Sequence, residues 1–368
     1  MAIKSARNFF INKILFPKIL NINEPGIITS KSLGIRKGKR RRMTYSFEEI
    51  LSGLQLETLK ELGNKKSSDL FYKIGKDVGT QYHFFIGKKK FPKLLRKDIV
   101  EYFFTRLSSV GMSFGKTIIL DEKDNSWIFT GTDSLICRKT GNSSMFAGVV
   151  SGVLSLIVGK NIEAESRCKN CSESCKIIAN ENIPRKYIPD LNELKLSKDY
   201  ENLNFPKKSI QRHKTSSLNN LYSFKKITVN KEGKSYFDGK ALFFSEINML
   251  ELVAKNYLED NKRILEKGII KNAEKVADHL LRNLNVEEEK LNYIKEILGS
   301  FGAGIPTIIK NKRKITVSIL YPPITKYGFL YRALEINGFL NSIYKKNFKL
   351  LNIKTQYHPT VTSLIYES

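Results

Sequence analysis

A chain of 368 residues is about twice the common domain length, and 41% hydrophobic residues suffice for two ordinary cores. The longest apolar run, Met145 to Gly159, falls short of the ~18–20 residues needed to cross a bilayer. No apolar core with a small-residue cleavage site opens the chain, and four cysteines are too few for a disulfide framework, so a reducing cytoplasm is expected, at most peripheral to a membrane. With 63 Lys+Arg against 36 Asp+Glu the net charge is +27, which suits an anionic partner (nucleic acid or an anionic membrane surface) or reflects AT-rich coding, since Lys, Asn and Ile are abundant throughout.

In chain order, residues 1–45 read as a basic, flexible leader whose only acidic residue is Glu24. Its cations Arg36, Lys37, Lys39, Arg40, Arg41 and Arg42 form a candidate anion-binding segment. Phe9, Phe10, Ile14 and Phe16 crowd one side of a stretch before Pro17 that suits either a membrane surface or a solvated arm. Residues 46–110 read as helical, with an N-cap at Ser67 or Ser68 and a second helix opening at Pro92. KTIIL, SWIFT and DSLIC then read as strands, the last placing Cys137 on a strand. A helix near 143–158 follows, and NIEAES and CKIIA read as two more strands. This order of helices and meander is α+β. Residues 181–240 are polar and read as a long connection.

From about 241 the pattern recurs. LSSVGMSFGKTIIL (residues 107–120) matches LGSFGAGIPTIIK (298–310), and GVLSLIVGKNI (152–162) matches GFLNSIYKKNF (338–348), at similar offsets. Two matches in the same order imply an internal duplication.

The stretch ESRCKNCSESC, Glu165 to Cys175, places Cys168, Cys171 and Cys175 within eight positions, with Glu165 three residues upstream and Cys137 farther back. Closely spaced thiolates on a turn suit tetrahedral zinc, which takes four N, S or O donors at about 2.0–2.3 Å. The run lacks ferredoxin-like spacing, and its place between strands disfavours a thioredoxin-like CxxC; buried free thiols are the structural alternative. Tyr82, His83, Phe103, Phe104 and Trp127 fall where aromatics from two helices and a strand can line a hydrophobic pocket, or else pack as core. GMSFGKT is one residue short of a P-loop and runs from helix to strand, the wrong context. No nucleophilic triad order and no dinucleotide fingerprint occurs, so a non-catalytic role is expected.

The helix SSMFAGVVSGVLSLIVGKNI running into E-x-x-C-x2-C-x3-C and a closing strand resembles the 4-vinyl-reductase-type domain. That domain occurs in bacteriochlorophyll-biosynthesis proteins, in archaeal proteins and in sensory modules of aromatic-responsive transcription regulators, and its fold is related to the vesicle-tethering TRAPP subunits. The resemblance implies an α+β fold in which each domain packs a helical layer on a small antiparallel sheet. It covers 46–180 and, through the internal match, 241–368. It also implies a pocket for a small hydrophobic or tetrapyrrole-like molecule with zinc nearby. By resemblance the metal ligands are Glu165, Cys168 and Cys175, with Cys171, Cys137 or a water completing the set. The family's first cysteine falls near Ser143 or Ser144 in this chain, which are not cysteines. The second copy has KTQYHPTVTSL (354–364) where the first has its cysteines, so any zinc is confined to the first copy and the second is a structural or protein-partner-binding copy. The expected function is a carrier, sensor or assembly factor, in pigment or photosystem biogenesis by resemblance. A nucleic-acid-associated regulator and an enzyme of tetrapyrrole vinyl reduction are the alternatives.

Overall fold

Isoleucine-rich and aromatic runs, punctuated by glycine turns, build three antiparallel sheets in the computed structural model. It describes residues 20–31, 40–81, 91–109, 117–121, 126–131, 137–170, 174–184, 186–191, 194, 216–230, 234–323, 327–357 and 360–368, to which all that follows refers. The α+β class holds.

Strands β1 (Leu20–Glu24) and β2 (Ile27–Lys31) form a hairpin, and β2 pairs with β3 (Arg40–Phe47). These residues were expected in a flexible leader. Their cations masked a strand pattern in which Met43, Tyr45 and Phe47 alternate with Thr44 and Ser46, all buried. Arg42 is 2% exposed, and its guanidinium donates to the carbonyl oxygens of Gly26, Gly302 and Tyr321. It pins a turn inside the fold, so it is not the surface anion contact expected. Of the other cations in that segment, Arg36, Lys37 and Lys39 lie outside the described residues, and Arg40 and Arg41 are placed by backbone alone, in β3.

Helix α1 (Glu48–Thr80) is broken at Gly63, whose φ of 75° and ψ of 172° are open essentially to glycine alone. After α2 (Lys93–Ser109) come β4 (Thr117–Asp121) and β5 (Ser126–Gly131), then the short α3 (Cys137–Thr140) and α4 (Ser144–Val158), then β6 (Glu163–Asn170) and β7 (Ser174–Asn180). The four strands form a sheet in the order β4-β5-β7-β6.

The span read as a connection holds α5 (Leu218–Ser223) and a second meander of β8 (Ile227–Val229), β9 (Ser235–Phe237) and β10 (Lys240–Glu246). Its strands are short and half polar, which hid them from pattern reading. Next come α6 (Ile247–Leu258), α7 (Lys262–Leu280) and α8 (Glu287–Ser300). The chain closes with β11 (Ile305–Asn311), β12 (Lys314–Leu320), α9 (Gly328–Tyr344), β13 (Lys349–Tyr357) and β14 (Thr360–Glu367). This last sheet runs β11-β12-β14-β13, the same plan as β4-β5-β7-β6. The remaining sheet has the order β1-β2-β3-β10-β9-β8, so each three-stranded meander mirrors the other about the β3/β10 pair. In that pair Tyr45 faces Phe244, Thr44 faces Ser245 and Ser46 faces Phe243.

The chain divides into two units. Among described residues one holds 55–194, the cysteine unit; the other holds 20–31, 40–54 and 216–368, the terminal unit. In the cysteine unit, α1 and α4 touch through interlocked glycines. A Cβ on Gly152 would lie 2.5 Å from the Lys76 carbonyl oxygen, and one on Gly79 would lie 2.5 Å from that of Val149. Gly148 and Gly75 meet the opposing backbone just as closely. In the terminal unit Gly338 of α9 abuts the Ile270 carbonyl of α7 in the same way. Gly152 and Gly338 are the glycines that open the second pair of matched sequences.

Candidate functional site

Two centres stand out in the cysteine unit. The first is built by sheet register. Cys175 opens the buried face of β7, opposite Gly131 at the end of β5. The chain leaving Gly131 returns six residues later as Cys137, at the start of α3 rather than on the strand its sequence suggested. That helix is one turn long, closed by a bond from the Gly141 amide to the Cys137 carbonyl at 2.7 Å. The two sulfurs lie 2.8 Å apart, and Cys137 and Cys175 are 0% and 1% exposed. Cys137 is disulfide-bonded in this structure.

Strand β6 brings a third cysteine to the same level of the sheet. Arg167 pairs with Lys176 and Asn170 with Ser174, so at the intervening bulge the backbone of Cys168 and Lys169 together spans the level of Cys175. Cys171 lies outside the described residues. Glu165 pairs with Ile178, while Ser166 and Ala164 pair with Ile177 and Ala179. Alternation therefore sets Glu165 on the sheet face opposite that of Cys175. Its carboxylate is 3.8 Å from the Lys186 ammonium, with the Glu165 side chain 42% exposed. The structure thus brings together Cys137 and Cys175, sets the backbone of Cys168 on the neighbouring strand, and leaves Glu165 apart. Among described residues no group of three metal-ligating side chains converges.

Of the five residues expected to line an aromatic pocket, two have described side chains. Phe104 of α2 and Trp127 of β5 are buried. The Phe104 ring packs on Phe129 at 5.0 Å and on Phe146 at 6.4 Å between centroids. Trp127 and Phe129 share the buried face with Cys175, since they oppose Ala179 and Ile177. Phe103 is on α2, placed by backbone only, and Tyr82 and His83 lie outside the described residues. Phe129 and Phe146 were not singled out, although Phe129 follows Trp127 by two positions, the spacing of one strand face.

The second centre was missed altogether. The buried Lys76 ammonium bonds Glu163 Oε1 at 2.6 Å, Asn161 Oδ1 at 3.1 Å and the Tyr187 carbonyl at 2.7 Å. Tyr72 OH, one helical turn earlier, donates to Glu163 Oε2 at 2.5 Å and accepts the Ala164 amide at 3.1 Å. Tyr187 OH donates to Asp77 Oδ1 at 2.9 Å. Burial pushes the Glu163 carboxyl up, but hydrogen bonds from Lys76, Tyr72 and Asn161 outweigh it and hold the group below its usual value. Burial, with the bond to Glu163, pushes the Tyr72 hydroxyl up. The three Lys76 donors are engaged by these acceptors, so the cluster fastens α1 to β6. The i, i+4 pair Tyr72/Lys76 was the signal available in the sequence.

Among described residues no helix is long and apolar enough to cross a membrane. No family model and no curated protein matches the sequence. Among solved structures, the phenol-responsive sensory domain of the transcription activator PoxR with phenol is similar at 17% identity. The match covers 50% of this chain and 98% of that one, with a TM-score of 0.31.

Proposed function

We propose that the chain is a non-catalytic, zinc-holding protein of the vinyl-reductase type that binds a small hydrophobic or tetrapyrrole-like molecule and serves as carrier, sensor or assembly factor. The observation that carries this reading is the approach of the Cys137 and Cys175 sulfurs to 2.8 Å, with the backbone of Cys168 on the neighbouring strand. Tetrahedral zinc with Zn–S bonds of about 2.3 Å separates its sulfurs by about 3.8 Å, so the pair needs to open by only about 1 Å to hold the ion. Buried, apolar surroundings and soft sulfur donors suit zinc, and Cys137 takes the place that the resemblance left open near Ser143 or Ser144. Once the Cys137 disulfide is reduced to thiolate, the ligand set is Cys137, Cys168 and Cys175, with Cys171 as the fourth; Glu165 is set aside because it faces the other way. Bound there, zinc supplies structure, tying the exit of β5 to the ends of β6 and β7.

The hydrophobic molecule would lie against Phe104, Trp127, Phe129 and Phe146, on the same sheet face as the thiols. A duplication running from β1 to β7 and again from β8 to β14 supports the assignment of two copies. Meander, helix, helix, helix, hairpin, helix and hairpin recur in order, with the two halves of α1 around Gly63 standing where α6 and α7 stand. Native mass spectrometry of the protein from its own source tests the reading. One organic adduct together with one zinc is expected. A chain that carries neither, with fewer than four titratable thiols after denaturation, would show a disulfide protein instead.

A further inference from the structure

The first turn of α2 is unlike any other apolar surface among the described residues. Leu94 is 91% exposed and Leu95 50%, side by side, where the other large exposed hydrophobics range from 40% to 70%. Pro92, Lys93 and Lys97 around them are exposed as well. The turn is held rigidly outward, because the half-buried Arg96 reaches back with Nε to the Phe91 carbonyl at 3.2 Å and with a guanidinium NH2 to the Val158 carbonyl at 3.4 Å. Arg96 anchors this turn, while the two leucines touch solvent.

A leucine almost wholly in water forgoes most of the ~2 kcal/mol its burial is worth. Two together, framed by lysines, have the composition of a surface that meets both an apolar layer and a negative one. A bilayer containing anionic lipid offers both layers at the right depth: phosphates for Lys93 and Lys97, and the acyl boundary for Leu94 and Leu95. The chain's charge of +27 favours the encounter. We propose that the Pro92–Lys97 tip of α2 docks the protein on an anionic lipid surface, with Leu94 and Leu95 entering the headgroup layer.

Co-sedimentation of the full chain with phosphatidylcholine vesicles, with or without about 30% phosphatidylglycerol, tests this. The chain is expected to bind the anionic vesicles and not the neutral ones. Leu94→Ser/Leu95→Ser leaves net charge and core unchanged and should weaken binding at least about tenfold. Lys93→Glu/Lys97→Glu should weaken it at least as much, at about fivefold or more per lysine. Ile309→Ser, which alters an exposed residue of the terminal unit, should have no effect. Full vesicle binding by the double-serine variant would overturn the proposal, since charge alone would then hold the protein. Failure of the unaltered chain to bind vesicles, including the case where it binds duplex DNA instead, would overturn it equally.

Discussion

The residue that most rewards attention is Glu163. Its charge is buried yet bonded by Lys76, Tyr72 and Asn161, so removing one partner leaves the other uncompensated. Glu163→Gln should lower the unfolding free energy by about 3 kcal/mol, read from the denaturant midpoint at neutral pH. Lys76→Met should do the same, whereas Lys76→Met/Glu163→Leu should lie closer to the unaltered protein than either single change. The pH dependence has a defined sign. The Glu163 carboxyl sits below its ordinary value of 4.5, so the unfolded chain takes up the proton first on acidification. Its contribution is complete above 4.5 and fades as the pH falls through the lowered value, and the acid limb of Glu163→Gln should be correspondingly shallower. Arg42 teaches the complementary lesson. In the run RKGKRRR it reads as one more surface cation, because nothing local reveals that three carbonyls, two of them more than 250 positions away, will accept its guanidinium.

At the level of elements, helix contact depends on backbone meeting backbone. Gly152 on α4 and Gly338 on α9 occupy matched positions and each lies against a carbonyl of the neighbouring helix, where a methyl group has no room. Gly152→Ala and Gly338→Ala should each destabilise by about 1–3 kcal/mol in chemical denaturation, through forced separation of the helices. The small-residue spacing of α4, the order of helices and hairpins and both matched pairs of sequences were legible because each rests on a local period or on self-similarity. The meanders were not: β8 and β9 have three residues each, and β3 is disguised by arginines. Cys137 was misplaced for a related reason. DSLIC has the composition of a strand, and the fact that sets Cys137, its pairing in space with a residue 38 positions later, belongs to sheet register.

At the scale of the whole molecule, the order β1-β2-β3-β10-β9-β8 is what a twofold axis between Tyr45 and Phe244 would produce, each copy giving one meander. A chain ending at Asn180 loses β10 and bares the edge of β3, where a second copy's β3 can take its place. Light scattering should find that truncated chain dimeric, and a folded monomer would argue against the symmetry. On the two-copy reading the halves differ in chemistry, since 354–364 carries no cysteine. The zinc content of the purified full-length chain therefore tests the account most directly. One zinc per chain, lost in Cys137→Ser, is the predicted result; no zinc in the unaltered protein, or full zinc in Cys137→Ser, would contradict it.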